Sequence, residues 1–223
     1  MSPEALPAPA GLNEVRRRID AAAVAAQRGP VRLVAVGKTR PAAAIATLAQ
    51  AGQTVFGENY VQEAVAKRAE LGALVLEWHL IGPLQSNKCR AAAATFDWIQ
   101  SLDRLRLVEP LARFRADAAP LNLLIQVNID DEAAKSGCRP EDIPSLATAI
   151  EAQPRLRLRG LMAIPQPHDD PVRRRASFRA MRELFDTLRV SHATVDTLSM
   201  GMSDDFEQAI AEGATMVRIG SAL

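Results

Sequence analysis

Lysine is scarce in this chain. Of its 27 basic residues only four are lysine, Lys38, Lys67, Lys88 and Lys135, so arginine is the default cation and each lysine needs a reason. A desolvated lysine can lose its proton, and the neutral amine attacks carbonyls to form a Schiff base, which a guanidinium cannot do. Lys38 lies in "VRLVAVGKTRP", residues 31–41, where a nearly apolar run passes through Gly37 straight into Lys38, Thr39 and Arg40. Lys67 and Lys88 fall in helical patterns and are expected to face solvent, while Lys135 sits in the loop "DDEAAKSGCRP". The bland alternative for Lys38 is an ion pair at a rim, with Glu58 as partner.

Two other stretches carry anion-binding chemistry. "SMGMSDDFEQAI" offers Gly201 for close backbone approach and Ser203 as an N-cap ahead of a helical pattern, and "RIGSA" offers Gly220 and Ser221. Backbone N–H groups at such places favour a phosphate. Taken alone, Ser203 followed by Asp204 and Asp205 is equally the signature of a plain capped helix.

These residues need a scaffold. The chain of 223 residues is 48% hydrophobic and 24% charged with a net charge of +1, which describes one sizeable core and argues against a nucleic-acid binder. Arg16–Arg18 and Arg173–Arg175 fall in helical patterns with acidic neighbours and read as solvated faces. Cys89 and Cys138 form no CxxC pair and have no histidine at metal-ligand spacing, which fits a reducing, cytoplasmic setting with neither disulfide framework nor metal site. No signal pattern or membrane-length apolar run is present, so no membrane association is expected. Residues 1–11, rich in Pro and Ala, are expected to be a flexible arm, and 12–223 one domain.

Eight apolar runs begin at residues 31, 54, 77, 97, 121, 156, 195 and 215, and the spacing suits a strand, a loop and a helix each time. Pro41 and Pro140 suit first helical turns, Gly52 a helix end, and Pro144 sits awkwardly in the second of these helices. Residues 12–29 read as an extra helix stopped by Gly29-Pro30. Eight strands alternating with helices predict a single (β/α)8 barrel rather than an open doubly wound sheet. The sequence ends three residues after the eighth run, so the N-terminal helix is expected to cover the place of an eighth outer helix. In such a barrel, functional residues gather where strands end at their C-termini, and the loops after strands seven and eight often hold a phosphate. Lys38 and both glycine-serine loops fall at such ends. A reactive amine beside a phosphate site suggests a phosphorylated aldehyde, of which pyridoxal 5′-phosphate (PLP) is the common one.

"AVGKTRP", "FGENYVQE", "WHLIGPLQSNK", "GLMAI", "LSMGMSDDFEQAI" and "VRIGSA" together resemble the pyridoxal phosphate homeostasis protein family, single-barrel relatives of the alanine racemase N-terminal domain. The resemblance runs from about residue 12 to the end. It implies a type III PLP barrel, an internal aldimine on Lys38, and a phosphate held by Ser203, Gly220 and Ser221. It also implies Arg218 facing the pyridine nitrogen and Asn59 beside the ring; Met200 is a further candidate for the cofactor site. A permanently charged guanidinium there disfavours protonating the ring nitrogen and weakens the ring as an electron sink.

Each residue also has a plainer reading: Arg218 paired with Asp204 or Asp205, Asn59 a turn residue, His79 a satisfied core histidine rather than a residue stacked on the ring, Met162 and Met200 core or pocket lining. Two departures stand out: Gly37 where family members often carry serine, and no Phe-Gly tail after the last strand. A racemase needs acid/base groups on both faces of the substrate carbon, and this sequence has one tyrosine, Tyr60, and is expected to form a single domain. The expectation is a monomeric PLP-binding homeostasis protein, with apo PLP enzymes as recipients of the cofactor; the alternative is a PLP enzyme with weak racemase or transaminase activity. Lys135 is a candidate second PLP position.

Overall fold

Each apolar run becomes a strand: β1 (Arg32–Val36), β2 (Val55–Glu58), β3 (Glu77–Leu80), β4 (Trp98–Leu102), β5 (Leu121–Gln126), β6 (Leu156–Met162), β7 (Thr197–Ser199) and β8 (Met216–Ile219). In the computed structural model, which describes residues 10–115, 118–132, 135–166 and 170–223, these strands are parallel and close into a barrel in chain order. β1 pairs with β2 on one side and with β8 on the other, so no edge remains open. Strands covered on both faces account for the nearly unbroken apolar runs.

The helices are α1 (Ala10–Ala25), α2 (Ala42–Gln50), α3 (Val61–Glu70), α4 (Cys89–Thr95), α5 (Val108–Phe114), α6 (Ile143–Glu151), α7 (Pro171–Ser191) and α8 (Phe206–Ala211). Gly52 ends α2 as expected, with φ +82° and Gln53 N donating back to Leu48 O. Pro144 is tolerated because α6 begins at Ile143, which places the proline in the first turn, where no N–H is needed.

Three boundaries differ from expectation. α1 stops four residues before Gly29: Gln27 takes the left-handed conformation (φ +51°), and Arg28 N donates to Ala23 O. It also starts at Ala10, inside the expected arm, whose residues 1–9 lie outside the described ones. α8 starts at Phe206 with Asp205 at its N-cap, so Ser203 caps nothing.

α1 fills the space an eighth outer helix would take. Arg18 pairs with Glu207 at 2.8 Å and lies over Phe206, while Arg16 donates to Ala51 O and to the Gln53 side chain beyond α2. Gly11 lies so close to Ala222 O that a Cβ there would approach it to 2.6 Å. The barrel interior is apolar in two patches, Val34–Val55–Met216 and Trp98–Leu124–Met162, with buried polar side chains between them. At the N-terminal end, Arg159 covers the Trp98 ring at 4.6 Å.

Candidate functional site

At the end of β1 the backbone is held from below. The Gly37 carbonyl accepts from Arg40 N (3.0 Å) and from Lys67 Nζ (2.8 Å), and Thr39 adopts φ +62°. Lys67 is buried, contrary to its expected solvent-facing position, because it also donates to the fully buried Glu58 carboxylate at 2.8 Å. A side chain at position 37 would meet Glu58 Oε1 at 2.4 Å, so Gly37 leaves room for the pair that grips its own carbonyl. Burial pushes the Glu58 carboxyl above its ordinary range against the opposing pull of Lys67, and Glu58 Oε2 has no hydrogen-bond partner among the described residues. The ion pair foreseen for Lys38 is therefore made by Lys67. Lys38 itself is exposed at the rim, and no hydrogen bond or ion pair among the described residues engages its amine.

At the end of β8, Arg218 is 3% exposed. Its Nη1 donates to Ser199 Oγ at 2.7 Å and its Nη2 to Ala163 O at 2.9 Å. Burial draws the guanidinium down to about 10 against the opposing charge of Asp205, which leaves it cationic at neutral pH. The alternative ion pair with Asp204 or Asp205 is not formed; Asp205 Oδ1 accepts from Met202 N at 2.7 Å instead.

The two loops expected to hold a phosphate meet. Ser221 Oγ donates to Ser203 Oγ at 2.9 Å, which brings two hydroxyls from different loops to one place. Gly201 (φ +94°) is needed here, because a Cβ would fall 2.7 Å from Ala209 Cβ and 2.9 Å from Phe206 Cα. Gly220 lies against β1, its notional Cβ 3.0 Å from Val36 Cβ, so the Ser221 loop runs beside the strand that carries Lys38.

Asn59 is half-buried in the loop after β2. Met200 takes the plainer of its two readings and not the cofactor-site one: strand alternation turns Ser199 inward to Gln100 and Arg218, and the Met200 side chain belongs to the core shared with the helices. Met162 lies inside the barrel against Trp98 and Leu124. Lys135 pairs with Glu132 at 2.5 Å and reaches toward Ile164 O. The two cysteines are free and buried, Cys138 with its thiol pushed up to about 12 by burial, so neither offers a ready proton donor or nucleophile.

Reading by strand ends misses the buried polar interior: it does not single out Gln100 and Ser199, and it offers His79 only a core role or ring stacking. Their signal is present as polar residues in runs that are otherwise apolar, "EWHLIG", "DWIQSL" and "TLSM".

A profile of the alanine racemase N-terminal domain matches residues 11–223. The chain is 54% identical over 213 residues to the pyridoxal phosphate homeostasis protein of Pseudomonas aeruginosa, covering 94% of this chain and 91% of that one. Against PipY of Synechococcus elongatus PCC7942, solved with PLP bound, the TM-score is 0.81 at 39% identity, covering 94% of this chain and 99% of that one. The same protein without PLP gives a TM-score of 0.86 at 38% identity, covering 96% and 97%. D-threonine aldolase from Filomicrobium marinum, 19% identical with a TM-score of 0.74 and covered over 60% of its length against 95% of this chain, shares the fold. With this identity sustained over nearly the full length of both chains, the protein belongs to the pyridoxal phosphate homeostasis protein family, within the alanine racemase N-terminal domain group.

Proposed function

We infer that this protein binds PLP in the C-terminal mouth of the barrel and serves PLP homeostasis, holding the cofactor as an aldimine on Lys38 Nζ. The observation that carries this reading is the buried cation at the end of β8: Arg218 is fixed by Ser199 and Ala163 O, in the mouth whose rim carries an unengaged lysine. A guanidinium in that position matches a neutral pyridine nitrogen. The hydroxyls of Ser203 and Ser221, with the backbone at Gly220, suit the phosphate, and half-buried Asn59, in the loop after β2, is the candidate to lie beside the ring. When bound, PLP supplies a reactive aldehyde. The chain's own contribution is an amine to capture it, donors for the phosphate, and a cation that discourages ring protonation and so suits storage better than turnover. In this reading the protein acts as a cytoplasmic monomer and gives the cofactor up to apo PLP enzymes.

The test is the absorbance spectrum of the protein mixed with PLP, before and after borohydride, beside Lys38→Ala. A visible band fixed by borohydride and lost in the variant is expected. A wild type with no band would remove the PLP assignment, and a band kept in Lys38→Ala would move the attachment to another lysine, Lys135 first. Loaded protein incubated with amino acids in deuterated water is expected to show no α-proton exchange; rapid exchange would make it an enzyme.

A further inference from the structure

The barrel axis holds a continuous line of hydrogen bonds. Arg218 Nη1 donates to Ser199 Oγ (2.7 Å), Ser199 Oγ to Gln100 Oε1 (2.7 Å), and Gln100 Nε2 to His79 Nδ1 (2.8 Å). His79 Nε2 then meets Glu77 Oε1, and Glu77 Oε2 accepts from Arg32 Nη2 (2.8 Å) at the N-terminal mouth. Ser199, Gln100 and His79 are all fully buried.

Both ends dictate the same direction. A guanidinium only donates, so the Ser199 oxygen accepts from Arg218 and its O–H must go on to Gln100 Oε1. That turns the Gln100 amide nitrogen toward His79. At the far end, Glu77 requires a proton on His79 Nε2, which leaves Nδ1 of a neutral imidazole bare to accept from Gln100. Reversing the Gln100 amide would set its N–H against a hydroxyl that already has a donor and its oxygen against a bare ring nitrogen. Trp98, stacked on the His79 ring at 5.2 Å with 6° between planes, and the Met216 sulfur, 3.2 Å from Gln100 Nε2, leave little room for either side chain to turn.

We propose that Ser199, Gln100 and His79 form a one-way hydrogen-bond relay that orients the Arg218 guanidinium, with its direction set from the opposite mouth by the Glu77 carboxylate. All three are positioning residues: they reach the cofactor site only through Arg218. The proposal rests on the PLP reading for its purpose, which is to keep the guanidinium fixed opposite the pyridine nitrogen so that the ring does not pick up a proton. In its geometry it stands on this chain alone. A chain of neutral links between a buried cation and a distant carboxylate aligns every dipole with the field of both charges, which strengthens each bond in the low-dielectric interior.

The experiment is done on the full chain, ligand-free and then loaded with PLP. In ligand-free wild type, nitrogen-15 spectra are expected to show His79 protonated at Nε2 and bare at Nδ1, with separate, slowly exchanging Nη protons on Arg218. Gln100→Leu should merge the Arg218 signals, weaken PLP binding by about tenfold and shift the visible band, while His79→Gln, which can accept from Gln100 and donate to Glu77, should keep the wild-type Arg218 signals, PLP affinity and band at neutral pH. If Gln100→Leu does not fold, Ser199→Ala removes the link by one oxygen atom and carries the same expectation. A folded Gln100→Leu with unchanged Arg218 signals, or a His79 protonated at Nδ1 in the wild type, overturns the relay. A wild type that shows the expected His79 and Arg218 signals but no band with PLP supports the relay and overturns the cofactor reading instead.

Discussion

The ends of β1 and β8 lie side by side and present opposite solutions to holding a cation. Arg218 is buried, bonded on two sides and fixed before any ligand arrives. Lys38 is exposed, and what is fixed there is the peptide beneath it, through Lys67 and Gly37. The difference follows from chemistry. A guanidinium that acts as a fixed charge benefits from preorganisation, while an amine that must attack a carbonyl has to keep its lone pair and its freedom. On the proposed reading, the site is rigid where it would recognise the cofactor and loose where it would react with it.

Breaking the support under β1 is expected to have the largest effect. Lys67→Met strands the buried Glu58 carboxylate and should cost about 4 kcal/mol by urea denaturation; a loss under 1 kcal/mol would mean that the pair does not brace the Lys38 peptide. Arg218→Leu comes next, at about 3 kcal/mol, because it leaves Ser199 and Ala163 O short of a donor in the interior. The contrast between the two ends disappears if Lys38→Ala costs as much.

Acid should weaken the axis rather than the rim. Burial lowers the pKa of His79 below 6.5 against the opposing effect of Glu77, so the unfolded chain takes up a proton that the folded chain refuses. Stability is then complete above about pH 6.5 and declines below it by up to about 1.4 kcal/mol per pH unit. Glu77 adds the same sign further down: burial acts to raise it, but His79 and Arg32 bring it from 4.5 to about 2, so its contribution is lost as pH falls from 4.5 toward 2. Urea midpoints of wild type and His79→Gln measured between pH 7 and 5 should diverge, the variant showing the flatter slope; parallel slopes would take His79 out of the account. The smallest effects belong at the rim. Ser221→Ala and Lys38→Ala should each lie within about 0.5 kcal/mol of wild-type stability, while Ser221→Ala loses its bound PLP band faster on dialysis and Lys38→Ala forms none.

Much of this was legible in sequence because it depends on local chemistry. Strand positions followed from apolar runs and Gly52 from the left-handed turn that ends α2, and the rarity of lysine marks Lys38 as the candidate amine. Ser203 was misplaced as an N-cap because "SDD" offers three adjacent capping residues and only the loop's path selects Asp205. Lys67 was assigned to solvent because a helical pattern does not say which face meets a buried carboxylate on the preceding strand.

What the sequence by itself determined is the order of eight strands, the closure they imply, and the residue types at the strand ends, since periodicity and turn chemistry act over a few neighbouring residues. What only the tertiary structure decided is which side chains share the barrel axis. Glu77, His79, Gln100, Ser199 and Arg218 come from four strands, and Arg218 and Gln100 are far apart along the chain. Their register across a closed sheet brings donor to acceptor within 3 Å from Arg218 through to Glu77. Hydrogen bonds of that length depend on where the closed barrel places each backbone, and no local pattern records it.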